Sequence, residues 1–100
     1  MTSIQSPDSQ EEKSHTLNKR ILIVDDESDI TLSLKLGLEQ YGFRVSAYND
    51  PGLALSEFKA GLYDLLIADI RMPGMSGLEL YEKTKQIDDR IEVCFITAFD

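Results

Sequence analysis

Leu65-Leu66-Ile67-Ala68-Asp69-Ile70-Arg71-Met72-Pro73-Gly74 is the stretch that decides the fold. A short, continuously apolar run ends in one carboxylate, and a Pro-Gly loop follows at once. A run of that length without polar alternation reads as a strand buried on both faces, as in a parallel sheet covered by helices. Asp69 is then lifted out of the core at the strand's C-terminal end. In open α/β sheets, ligands and chemistry gather there.

Two segments repeat the pattern. Arg20-Ile21-Leu22-Ile23-Val24 runs into Asp25-Asp26-Glu27, and Ile91-Glu92-Val93-Cys94-Phe95-Ile96 runs into Thr97-Ala98. If the three strands lie parallel and adjacent, Asp25, Asp26, Asp69 and Thr97 converge at one edge. Three carboxylates that close raise one another's pKa unless a cation intervenes. A hard divalent cation with oxygen ligands is the natural answer, and Mg²⁺ usually takes one or two carboxylates and keeps several waters. Each residue also has a plainer reading. Asp25 and Asp26 could cap a helix, Asp69 could be a turn-forming Asp, and Thr97 a β-branched strand end.

Between these strands the pattern alternates. A helix is expected from Ser28 or Asp29 to Tyr41, with Gly42 just past its end. Ile30, Leu34, Leu38 and Tyr41 share its sheet-facing side, while Leu32 and Leu36 point roughly the other way. A second strand covers Arg44 to Tyr48. Asp50-Pro51 is an N-cap followed by Pro at the first helical position, which opens a helix to about Ala60 with Leu55 and Phe58 inward and Gly61 ending it. The loop from Ile70 to Met75 leads into Ser76-x-x-Glu79, a capping-box pattern that starts a third helix. Gly74 and Gly77 are expected to supply permissive backbone angles. The order β-α-β-α-β-α-β calls for right-handed crossovers and a mainly parallel α/β sheet.

Composition narrows the function classes. One hundred residues allow one domain at most. A net charge of −8 argues against direct nucleic-acid binding by this segment, because phosphate contacts need a basic patch. Residues 1–18 are polar and acidic with almost nothing to bury, and are expected to form a disordered tail. His15 lies there and is given no role. No apolar run approaches a membrane span, and the N-terminus lacks a basic-then-apolar signal pattern. The single Cys94 cannot form an internal disulfide, so a reducing cytoplasm is the simplest setting. Its place in an apolar strand makes it an expected small core residue.

Three pieces occur in one order: Val24-Asp25-Asp26-Glu27, Asp69 with Arg71-Met72-Pro73-Gly74-Met75-Ser76-Gly77, and Ile96-Thr97-Ala98. On these the sequence resembles the CheY-like receiver domain of two-component response regulators, over about residues 19 to 100. The resemblance implies a flavodoxin-like doubly wound parallel sheet of strand order 2-1-3-4. It implies phosphoryl transfer from a sensor histidine kinase, or a phosphotransfer protein, to Asp69. Such a domain is a switch that assists its own phosphorylation and dephosphorylation, and not a turnover enzyme. Asp26 would ligate Mg²⁺ directly, and Asp25 directly or through water. Asp69 and the backbone carbonyl of Arg71 would complete the protein ligands. Thr97 would hydrogen-bond the transferred phosphoryl group and act as the switch. Ala98 would leave open space beside the phosphate, while Arg71 and Phe99 would tune hydrolysis. The first helix resembles the surface on which sensor kinases dock.

In the family, helix four, strand five and helix five follow, with a switch aromatic and a phosphate-pairing lysine. The 100 residues carry none of these, and Lys83 and Lys85 on the expected third helix cannot be assigned the lysine's role from their spacing. Strand four is therefore expected to be an uncovered apolar edge, so that the chain self-associates through it, swaps segments or is only marginally folded. Two rival readings are a phosphorylation-independent interaction module and a metal-dependent phosphohydrolase. The second typically carries an acid/base Asp two residues after the nucleophile, where this chain has Arg71.

Overall fold

The computed structural model describes residues 19–97 of the chain. Residues 1–18, with His15 and the expected disordered tail, and residues 98–100, with Ala98 and Phe99, lie outside the described residues. Seven elements alternate: β1 (Arg20–Val24), α1 (Ser28–Gln40), β2 (Arg44–Tyr48), α2 (Pro51–Glu57), β3 (Leu65–Asp69), α3 (Gly77–Ile87) and β4 (Glu92–Ile96). The four strands form one parallel sheet in the order β2-β1-β3-β4. This is the doubly wound α/β arrangement expected from the sequence. Its strand C-termini all point to one edge.

Register sorts the side chains onto two faces. Leu22, Val24, Leu66 and Ala68 share the face on which Ala54, Phe58, Leu80 and Ile91 pack. These residues form the buried core, and each large one contributes about 1.5–3 kcal/mol by leaving water. Ile21 and Ile23 are buried on the other face, where α1 packs over β2 and β1. Beyond α1 the burial fades, because Leu65 and Ile67 are only half-buried. The start signals act as expected. The Asp50 side chain accepts the N–H groups of Gly52 and Leu53, and Ser76 Oγ accepts the N–H of Glu79 at 3.1 Å.

Four sequence expectations are corrected. Cys94 is exposed and not a core residue. It pairs in register with Ile67, which pairs with Ile23, so it lies on the α1 face of the sheet but past β2 and β1, the strands over which α1 packs. Tyr41 is 77% exposed. The helix ends at Gln40 and the chain turns at Gly42 (φ 96°), so Tyr41 leaves the helical period, and the half-buried Phe43 folds back to donate to Leu38 O. α2 stops at Glu57 and not near Ala60, because Phe58 turns extended (φ −74°, ψ 138°) and enters the core from there. Gly61 lies a turn later with φ 83°.

The fourth correction concerns Gly77. Of the two loop glycines, only Gly74 has a positive φ (84°). Gly77 is required for space, since a Cβ there would stand 2.2 Å from the carbonyl oxygen of Asp69. At the sheet's far side β4 is the edge strand among the described residues, as expected.

Candidate functional site

β1 and β3 are neighbours; Asp25 directly follows β1 and Asp69 ends β3, at the same level of the sheet. Val24 pairs with Ala68, so Asp25 and Asp69 follow side by side. Asp26 is the next residue in the turn to α1. One carboxylate oxygen from each of Asp25, Asp26 and Asp69 falls within a group spanning no more than 4.8 Å. Asp25 is 2% exposed and Asp69 9%, while Asp26 is open to solvent.

Short local hydrogen bonds hold the two buried carboxylates. Asp25 Oδ1 accepts the N–H of Glu27 at 2.9 Å, and Asp69 Oδ1 accepts the N–H of Arg71 at 3.2 Å. Each aspartate thus folds the backbone after its strand into a tight turn. The capping reading of the Asp25–Asp26 pair does not hold. The residue at the N-cap of α1 is Glu27, and its side chain makes no cap hydrogen bond.

The electrostatics are one-sided. Burial pushes the Asp25 carboxyl up, and the neighbouring charges of Asp69, Asp26 and Glu27 push the same way; the Glu27 N–H opposes them. Among the described residues the ion pairs are Arg20–Asp64 and Lys35–Glu39, neither of them at this cluster. Two buried carboxylates and an exposed third form an all-oxygen donor set without an internal counter-charge. That chemistry fits a hard divalent cation with part of its shell left to water.

The remaining expected residues stand at the same edge. Arg71 is exposed, two residues beyond Asp69. Thr97 is exposed and follows the last residue of β4, and the Ile70 N–H donating to Ile96 O at 3.2 Å carries the β3–β4 ladder up to that point. No hydrogen bond links the Thr97 side chain to the carboxylates among the described residues. Lys85 lies on α3 with its ammonium 5.6 Å from the centre of the Tyr81 ring. Two clefts of about 640 and 560 Å³ lie around the opposite edge, lined by Arg20, Tyr63 and neighbours.

Sequence reasoning missed two contributors. Gly77 lets the start of α3 lie against the Asp69 carbonyl, and its N–H donates to Ile70 O at 2.9 Å. The Asn49 amide bonds the backbone of Asp25. The Gly-x-x-Gly spacing drew attention to Gly77, but for the wrong reason. For Asn49 the sequence offers no signal beyond an amide after a strand.

Known proteins share this fold. The response regulator receiver domain family matches residues 21–100. The response regulator receiver protein CpdR of Brucella abortus is 35% identical over 81 residues, covering 81% of this chain and 68% of that protein. The transcriptional regulatory protein PrrA of Mycobacterium leprae is 35% identical over 79 residues, covering 79% of this chain but 34% of that protein. The chain therefore spans about two thirds of the first relative and about a third of the second.

Among solved structures, the response regulator TrrA of Thermotoga maritima, in complex with Mg²⁺ and BeF, is 39% identical with a TM-score of 0.74. That match covers 82% of this chain and 71% of TrrA. TrrA in complex with the histidine kinase ThkA matches with a TM-score of 0.72 over the same shares. The motifs at three strand ends, the 2-1-3-4 sheet and these likenesses agree, and the chain belongs to the response regulator receiver domain family.

Proposed function

We propose that Asp69 is the phosphoacceptor of this receiver domain and that Asp25, Asp26, Asp69 and the Arg71 carbonyl hold its Mg²⁺. The observation that carries this reading is the meeting of three carboxylates within 4.8 Å at the C-terminal edge of a parallel sheet. A carboxylate oxygen of Asp69 attacks the phosphorus of a phosphohistidine. The P–N bond breaks, the imidazole leaves with the electron pair and takes up a proton, and an acyl phosphate remains on Asp69. Bound Mg²⁺ supplies charge neutralisation for the attacking and transferred oxygens. Asp25 and Asp26, whose carboxylates lie with that of Asp69, would hold the cation. The Asx turn to Arg71 orients the nucleophile.

Thr97, just past the end of the adjacent strand, donates a hydrogen bond to a phosphoryl oxygen after transfer and couples phosphorylation to a surface change. The phosphodonor partner is a histidine kinase, the kind of protein that binds TrrA. The chain works as a switch in the cytoplasm. No helix of the described residues is long and apolar enough to cross a membrane. Residues 19–100 form the receiver unit in this reading, and residues 1–18 are a tail.

The test is incubation of the chain with a small-molecule phosphodonor, with and without Mg²⁺, followed by intact-mass measurement. Gain of one phosphoryl group, dependent on Mg²⁺ and lost in Asp69→Ala, is expected. Equal labelling of Asp69→Ala would overturn the assignment.

A further inference from the structure

Asn49 is the first residue after β2 and has no part in the chemistry above. Its side-chain amide donates to the carbonyl oxygen of Asp25 at 2.8 Å and to the hydroxyl of Thr31 at 3.0 Å. Thr31 is buried in the first turns of α1, and its hydroxyl donates in turn to the Ser28 carbonyl at 3.0 Å. The backbone N–H of Asp25 donates to Tyr48 O at 3.1 Å. Both backbone polar groups of Asp25 are thus held from the end of β2. One planar amide bridges the two sides of the turn that carries Asp25 and Asp26.

The residue type matters. Two donors on one nitrogen serve two acceptors on different elements. An aspartate at this place would set its oxygens against a carbonyl oxygen and add a negative charge beside the cluster. An alanine would leave the Asp25 carbonyl to solvent and free the turn to relax. Relaxation is favoured, because the carboxylates that converge there repel one another. Groups that orient metal ligands typically change metal affinity by about 10–100-fold when removed.

We propose that Asn49 is a positioning residue for the cation site. By tying the Asp25 carbonyl to Thr31 it holds the Asp25–Asp26 turn in its ligating shape and so sets Mg²⁺ affinity. The inference rests on the Mg²⁺ reading given above. The test is Mg²⁺ titration of the full 100-residue chain, followed by amide NMR, for wild type, Asn49→Ala, Thr31→Val, Thr31→Ser and the Asn49→Ala/Thr31→Val double variant. Thermal melts in metal-free buffer accompany each titration.

Asn49→Ala should weaken Mg²⁺ binding about tenfold while still melting cooperatively. Thr31→Val should weaken it less, and Thr31→Ser, which keeps the hydroxyl, should restore it. The double variant should bind no worse than Asn49→Ala, since both changes break one linked contact. Wild-type affinity in Asn49→Ala overturns the positioning role and leaves the site reading standing. Should Asn49→Ala fail to fold, equal affinity in Thr31→Val and Thr31→Ser overturns it instead. A wild-type chain that takes up no Mg²⁺ overturns the site reading, and this inference with it.

Discussion

The two edges of this sheet treat the same side chain in opposite ways. At the C-terminal edge Asp25, Asp26 and Asp69 converge, and burial with neighbouring negative charge pushes Asp25 up. At the N-terminal edge each buried or half-buried aspartate has its own donors. Asp64 takes the Arg20 N–H at 2.8 Å and the Arg20 guanidinium at 3.5 Å. Burial alone would raise its pKa, but these contacts outweigh it and the carboxyl is held low. Asp88 takes the N–H of Gly61 at 2.8 Å and of Arg90 at 3.1 Å, and is also held low. Asp25 and Asp69 each accept one backbone N–H as well, but unlike Asp64 they have no ion pair among the described residues. A cluster left short of positive charge fits a divalent cation.

The largest effect is expected where the acidic edge depends on backbone contact. Gly77→Ala places a Cβ 2.2 Å from the Asp69 carbonyl oxygen, and the neighbouring atom is backbone that cannot swing aside. The start of α3 or the end of β3 must shift, at a cost of about 3 kcal/mol in unfolding free energy. Urea denaturation of the two chains measures it. A loss below about 0.5 kcal/mol would mean that the loop gives way easily, and that the acidic edge is less rigid than the comparison requires.

Much of this comparison was legible in the sequence, and the reasons differ by residue. Arg20–Val24 and Arg44–Tyr48 are strands with the expected bounds because apolar runs and turn residues delimit them locally. The convergence of Asp25 and Asp69 was legible because a parallel sheet aligns strand C-termini, whatever the loops do. Cys94 was misread because strand hydrophobicity says nothing of which helix covers which face. Phe58 kept its inward role while leaving the helix, since burial can be met from extended backbone. Asn49 was illegible because its partners, Asp25 and Thr31, are far along the chain, and only the fold brings them within reach.

A smaller effect separates the edges by sign. Asp26→Asn removes one of three mutually repelling charges, and Asp26 is the exposed one, so nothing buried is left unpaired. In metal-free buffer the variant should be more stable than wild type by about 1 kcal/mol. Added Mg²⁺ should raise the wild-type melting temperature and leave that of Asp26→Asn nearly unchanged. Melts with Mg²⁺ and with chelator check both halves. A metal-free variant less stable than wild type would show that the cluster is already satisfied by the protein, and the contrast between the edges would fail.

The smallest effect belongs to the opposite edge and has the opposite sign. The Arg20–Asp64 pair is about a third exposed on each side, so water screens it. Asp64→Asn should therefore cost no more than about 0.5 kcal/mol at neutral pH. Its pH dependence follows from the direction of the shift. The folded-state pKa of Asp64 lies below the ordinary value of 3.8, so the folded protein holds the charged form more firmly than the unfolded chain does. That stabilisation is complete above the ordinary value and fades as pH falls through the lower, folded value. Wild type and Asp64→Asn should differ at neutral pH and converge in stability as acid protonates Asp64. Denaturation midpoints between neutral and strongly acidic pH measure the gap. A gap that widened toward acid would mean that Asp64 is destabilised by its surroundings as Asp25 is, and that the two edges are alike after all.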